Sequence, residues 1–190
     1  MRSRKRSGYC FNAAGLTALA ALCLFAVSGC GYTTSSIVYG GAKTIFIDNF
    51  VNKINVAQEV TDARMYIGYR SGMEIEVTKD IRNEFIVDGT LKIVPENQAD
   101  LILRGDLVEF QKEALVFDSA DNITGFRVNI VVSLKLIYRP SGKVVMDVKR
   151  FTGESTYRTT GEFAQSEDQA IQRATEDLAA RVVEIIVQGW

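Results

Sequence analysis

Residues 126–138 read Phe-Arg-Val-Asn-Ile-Val-Val-Ser-Leu-Lys-Leu-Ile-Tyr, and this run has the cleanest alternation in the chain. Phe126, Val128, Ile130, Val132, Leu134, Leu136 and Tyr138 share one parity. Arg127, Asn129, Ser133, Lys135 and Arg139 take the other, interrupted by Val131 and Ile137. Successive side chains of a strand point to opposite faces, so a period of two predicts a strand with one buried face and one wet face. Pro140-Ser141-Gly142 then makes a tight turn, and residues 143–157 are expected to return as its antiparallel partner. On the other side, Leu101, Leu103 and Leu107 alternate with Arg104 and Asp106 in a third strand, with a turn at Asp121-Asn122 between the two.

Two amphipathic helices flank these strands. Ser71-Gly72-Met73-Glu74 has the form of a capping box, which predicts a helix start at Ser71. Met73, Val77, Ile81 and Phe85 then make one apolar stripe, and Asp88-Gly89 ends it with a left-handed cap. Ser166-Glu167-Asp168-Gln169 is a second capping box, opening the longest helix. Ile171, Ala174, Leu178, Val182 and Ile185 form its stripe, and Gly189 is expected to stop it. Residues 43–48 and 91–94 read as short strands, while residues 51–70 read as an irregular excursion. A sheet with one apolar face and two striped helices implies an α+β fold. It has two layers: a mostly antiparallel β-sheet with two amphipathic helices packed on one face.

The first 29 residues belong to a different class. Arg2, Arg4, Lys5 and Arg6 make a basic head, and residues 13–27 an apolar run of about fifteen, shorter than the roughly twenty that span a bilayer. That pattern describes a signal sequence. Val27-Ser28-Gly29-Cys30 matches the bacterial lipobox, which places signal cleavage between Gly29 and Cys30 and lipidation, by diacylglycerol and palmitate-type acyl chains, on Cys30. Two or three acyl chains hold a protein on a membrane stably, at about 0.8 kcal/mol per buried CH₂. Gly31 stands where an aspartate would signal inner-membrane retention, which favours the outer membrane, facing the periplasm. The expected organisation is a signal peptide over 1–29, a lipidated tether over 30–42 and a single α+β domain over 43–190.

Removing the leader changes the charge. Four of the 22 basic residues and none of the 23 acidic ones lie in it, leaving 18 against 23, or −5. Phosphate backbones attract the opposite sign, so nucleic acid is not an expected partner. The other two cysteines, Cys10 and Cys23, leave with the leader, so no internal disulfide is expected. The chain has no histidine, which removes Ser-His-Asp and Cys-His catalysis and the commonest zinc ligand. Neither phosphate-loop fingerprint occurs. The carboxylate pairs Glu74/Glu76, Glu167/Asp168 and Glu176/Asp177 read as caps and solvated helix faces. The reading is therefore not an enzyme: no catalytic residue, no metal site, and no cofactor beyond the lipid on Cys30.

Several stretches, in order, carry a family resemblance. They are Cys30-Gly31-Tyr32, Phe50-Val51-Asn52, residues 84–94 (EFIVDGTLKIV), residues 99–105 (ADLILRG), residues 138–145 (YRPSGKVV) and the closing Gly189-Trp190. Together they resemble the lipopolysaccharide-assembly lipoprotein E family (LptE) over nearly the whole mature chain, with residues 53–70 longer than the pattern. The resemblance implies an outer-membrane lipoprotein that plugs the LptD β-barrel translocon, assists its assembly and helps deliver lipopolysaccharide to the outer leaflet. Its implied partners are that barrel, lipopolysaccharide and the outer membrane. A barrel lumen is polar, which suits the charged sheet face. Arg127, Lys135, Arg139 and Lys143 are the candidate contacts to barrel carboxylates or lipid phosphates.

A second reading stays open. Residues 43–50 (KTIFIDNF) with Asn52 also suggest lipoproteins that regulate a peptidoglycan synthase or form part of a secretion pore. Charge on both faces of the long strands, as at Arg104, Asp106 and Lys135, argues against membrane-spanning strands. An orphan structural lipoprotein is the third.

Overall fold

The computed structural model describes residues 38–55, 60–61 and 64–188. The expected signal sequence, lipobox with Cys30, tether up to residue 37 and helix stop at Gly189 lie outside the described residues. The elements in chain order are β1 (Thr44–Ile47), β2 (Val51–Asn52), β3 (Val60–Thr61), β4 (Met65–Ile67), α1 (Met73–Asp88), β5 (Lys92–Ile93), β6 (Leu101–Phe117), β7 (Ile123–Tyr138), β8 (Lys143–Arg158) and α2 (Glu167–Val187).

The alternation at 126–138 lies inside β7, which pairs antiparallel with β6 on one side and β8 on the other. Even-numbered Val128, Ile130, Val132, Leu134 and Leu136 are buried, as the period of two requires. The opposite face is not wet throughout. Val131 is 3% exposed and Ile102 on β6 is 6% exposed, and the Arg150–Glu109 ion pair joins the two strands that flank β7 at Val131. Tight turns close both hairpins. Gly142 adopts φ 67° after Pro140, and Asp118 accepts the amides of Ala120 and Asn122 with one carboxylate oxygen.

β6 is the spine of the sheet, and its second edge resolves the segment at 51–70. Three short strands pair along it in succession: β1 parallel from Leu101 to Leu103, β2 parallel at Asp106–Leu107, and β4 antiparallel at Gln111–Glu113. β5 adds parallel to β1, and β3 antiparallel to β4. The sheet is thus mixed, although its long pairings are antiparallel. Strands of two or three residues are too short to show a period, which is why this stretch reads as irregular. β6 also carries a bulge: Leu107 faces Val132 and Glu109 faces Val131, leaving Val108 as the extra residue. The bulge flips the alternation, so Phe110 and Lys112 turn to the helix side. There Lys112 meets Glu167 at the start of α2 at 2.7 Å. Burial, then the charge of Glu167, pushes the neighbouring Tyr157 phenol up to about 12.

Both helices cover one face of the sheet. α1 buries Met73, Val77, Ile81 and Phe85, as expected, and ends on Gly89 at φ 70°. Its start differs from the expectation. The helix begins at Met73, and Gly72 precedes it at φ 85° with no side-chain cap. A capping box needs an extended residue before the helix, and the left-handed glycine removes that geometry. The Tyr69 hydroxyl takes over, accepting the Gly72 amide at 3.2 Å and donating to Glu74 at 3.1 Å. At α2 the capping box is complete: Ser166 accepts the Gln169 amide, and the Gln169 side chain accepts the Ser166 amide.

α2 comes unusually close to β8. A Cβ on Gly153 would overlap the Leu178 Cβ and stand 2.5 Å from the Ala174 carbonyl oxygen, so the helix backbone rests on that glycine. Phe50 lies over Gly105 of β6 in the same manner. Residues 38–42, assigned from the sequence to the tether, pack onto the domain: Val38 and Ala42 are buried, and Tyr39 meets Tyr138 edge to face.

Candidate functional site

The candidate surface is the sheet face turned away from the helices. Strand parity puts Arg127, Asn129, Val131, Ser133, Lys135 and Ile137 of β7 there, opposite Glu113, Gln111, Glu109, Asp106, Arg104 and Ile102 of β6. On the other flank stand Thr156, Glu154, Thr152, Asp147 and Val144 of β8. The face is charged, and most of its cations have an acid within ion-pair distance; Lys135, directly opposite Arg104, makes no ion pair among the described residues.

Arg104 reaches Asp48 at 3.5 Å and Glu96 at 3.4 Å. Lys53 meets Asp106 at 3.5 Å, and Asp106 also accepts the Ser133 hydroxyl at 3.3 Å. Arg150 meets Glu109 at 2.8 Å, and Lys149 meets Asp147 at 2.8 Å. The hydrogen bond from Lys149, helped by the charges of Lys149 and Lys135, holds the Asp147 carboxyl below its ordinary value. Exposed pairs of this kind are worth little each, about 0–1 kcal/mol. Their effect is to leave a polar surface without a large excess of either sign.

The four sequence-predicted cations are not brought together. Arg127 and Lys135 share the outer face, but eight residues of strand separate them, about 26 Å at 3.3 Å per residue. Arg127 is engaged by Glu113 at 3.6 Å, and its Nε is buried without an acceptor among the described residues. Lys135 is exposed between Arg104 and Asp147. Arg139 holds strand ends in place: its Nε donates to the Ala99 carbonyl and its backbone amide to the Asp100 carbonyl. Lys143 pairs with Tyr138 and so takes the helix-side parity, its Nζ 5.9 Å from the centre of the Tyr39 ring. Of the acids that neutralise the face, the alternation marks Asp106, but not Asp48, Glu96, Glu109 or Glu113; the bulge at Val108 breaks the pattern that would mark Glu109 and Glu113.

Asp100, beside Arg139, ties β1 to the start of β6. It accepts the Lys43 and Thr44 amides at 3.0 and 3.1 Å and the Thr44 hydroxyl at 2.8 Å. Foremost the Lys43 amide, then the Thr44 hydroxyl, hold its carboxyl below the ordinary value of 3.8. A depressed folded-state value stabilises at pH above the unfolded value and loses that contribution as pH falls through the folded one. Asp100→Asn is therefore expected to lower stability at neutral pH. Its difference from the parent should shrink as pH drops below 3.8, read by urea unfolding at several pH values. A pH-independent difference would assign Asp100 a packing role instead.

An open groove of about 480 Å³ lies between α1 and α2 and is lined by Arg70, Glu76, Lys79, Asp80, Asp168 and Gln172 among others. Burial, then the nearby acids Glu176 and Glu76, outweigh Lys79 and push the Asp80 carboxyl up. Its charged walls do not suit an apolar ligand. Among the described residues, no group of three or more metal-ligating side chains is gathered.

A model of the family described as LptE: Lipopolysaccharide-assembly matches residues 42–185. No curated protein matches the chain. Among solved structures, a PelC dodecamer variant from Paraburkholderia phytofirmans aligns at 16% identity over 81% of this chain and 95% of its own, with a TM-score of 0.45. A minor lipoprotein from Acinetobacter baumannii aligns at 13% identity over 76% and 92%, with a TM-score of 0.46. The rare lipoprotein B from Shewanella oneidensis aligns at 13% identity over 77% and 92%, with a TM-score of 0.45.

Proposed function

Because this chain belongs to the LptE lipopolysaccharide-assembly family, whose members are non-enzymatic outer-membrane lipoproteins, we propose that it plugs an LptD-type β-barrel translocon. In this reading Cys30 carries the lipid, the domain faces the periplasm, and the protein assists barrel assembly and lipopolysaccharide delivery. The observation that carries the plug role is the paired-charge sheet face. A water-filled lumen is polar. A surface on which Lys53, Arg104, Arg127 and Arg150 are already matched by Asp106, Asp48, Glu113 and Glu109 can enter it with little unpaired charge to strand, which is costly when desolvated.

Arg127 and Lys135 are the outer-face contacts in this reading, whereas Arg139 and Lys143 are not. The double variant Arg127→Glu, Lys135→Glu is expected to cut co-purification of the barrel from detergent-solubilised envelopes at least tenfold, a change of about 1.4 kcal/mol. Lys143→Ala, on the helix side, is expected to leave it unchanged. Undiminished recovery with the double variant would refute the outer face as the contact. Recovery of a synthase or a homo-oligomer with no barrel would refute the plug role itself.

A further inference from the structure

β8 forms one border of the sheet: it pairs with β7, and among the described residues no strand lies beyond it. A 16-residue border strand presents a row of outward N–H and C=O groups, a template on which another chain can add. In its second half one outward group on each of Thr152, Glu154, Thr156 and Arg158 is already taken. The Arg181 guanidinium donates to the Thr152 carbonyl at 2.6 Å. The Glu154 amide donates to the Asp177 carboxylate at 3.0 Å. The Arg173 guanidinium donates to the Thr156 carbonyl at 3.0 Å. The Gln165 amide then donates to the Arg158 carbonyl at 2.8 Å.

The spacing explains the match. Residues 173, 177 and 181 lie at i, i+4 and i+8 on one side of α2, and residues 152, 154 and 156 are alternate positions whose backbone groups point out of the sheet. The two ladders meet in antiparallel order, with Gly153 between them letting the helix backbone close in. The first half of β8 is protected by different means: Lys143, Lys149 and Arg150 are exposed, and Lys149–Arg150 form a bulge, since Val132 faces Phe151 while Leu134 faces Val148. Charge and bulges are ordinary edge defences. The second half has the α2 ladder instead.

We propose that Arg173, Asp177 and Arg181 form an edge lock, occupying three of the backbone sites at which a second copy of this chain would add its own β8. An antiparallel strand pair between identical edges is self-complementary, so a two-fold dimer is the expected product of unlocking. This inference does not depend on the barrel-plug reading, because it concerns the chain's contact with itself.

The test compares the full lipoprotein with its Arg173→Ala, Asp177→Ala, Arg181→Ala variant in detergent micelles, by light scattering of the size-separated protein. Alanine is the best helix former and the three side chains are exposed or half-buried, so α2 is expected to persist, as circular dichroism would report. The triple variant is expected to gain a species of twice the parent's protein mass, and on dilution to the monomer, where no second β8 covers it, its Glu154 amide is expected to exchange at least tenfold faster than the parent's. Adding Glu154→Pro, which removes an outward amide and bars pairing there, is expected to return the mass to the parent value. The single variant Asp177→Ala should by itself speed exchange at Glu154, giving a readout should the triple variant fold poorly. A triple variant with the parent's mass would overturn the proposal, as would association that Glu154→Pro leaves intact or protection of Glu154 unchanged in Asp177→Ala.

Discussion

Gly153→Val is expected to destabilise the domain by about 3 kcal/mol or more, the upper end of core overpacking, lowering the thermal midpoint by on the order of 10 °C. The cause is steric. A Cβ there overlaps the Leu178 Cβ and stands within 2.5 Å of the Ala174 carbonyl oxygen, and neither side can yield without moving α2 as a body. α2 cannot lift cheaply. It buries Ala170, Ile171, Ala174, Leu178 and Val182 against β7, β8 and α1, and each large apolar side chain so buried contributes about 1.5–3 kcal/mol. Lifting it would also withdraw Arg173, Asp177 and Arg181 from the β8 edge. Gly161→Ala is the control: its φ of 93° makes any side chain unfavourable, but nothing lies within 4 Å of the added carbon. Its cost should stay near that of a left-handed residue, about 1–2 kcal/mol. An unshifted midpoint for Gly153→Val would mean that α2 does not rest on β8 at this point.

Cys30→Ser is expected to abolish membrane attachment of the processed protein. The substitution keeps size and polarity nearly unchanged but removes the thiolate-forming atom, and with it the acylation that the lipobox Val27-Ser28-Gly29-Cys30 is read to direct. Each lost chain forfeits about 0.8 kcal/mol per CH₂, well beyond what a polar domain recovers from the membrane surface. Metabolic labelling with radioactive palmitate should mark the parent chain and not the variant, and outer-membrane fractions should be depleted of the variant's domain. An unlabelled parent chain would remove the anchor from the proposed function. It would leave the family assignment, which rests on residues 42–185, untouched.

The candidate surface was legible only in outline. Alternation at 126–138 exposed Arg127 and Lys135 correctly on one face, because side-chain direction in a strand is a local property. The same logic could not place Lys143, whose facing follows from its pairing with Tyr138 beyond the turn, nor see that Arg139 is occupied by the Ala99 carbonyl. Ion-pair partners such as Glu109 for Arg150 lie 41 residues away in the chain, a separation at which one sequence carries no distance information.

The sequence by itself determined whatever depends on neighbours within a turn or a few strand residues. That covers the buried parity of β7, the Ser166 capping box, the Gly89 stop, the turn at Gly142, the α+β class and, through ordered motifs, the family. Tertiary structure alone decided the rest: the three short strands lined up along β6, the bulge at Val108 that turns Lys112 inward, and the seat of α2 on Gly153. These follow from which backbone groups and surfaces meet across long loops. Burial and hydrogen-bond satisfaction are settled there jointly by segments far apart in the chain, so no local pattern can encode the outcome.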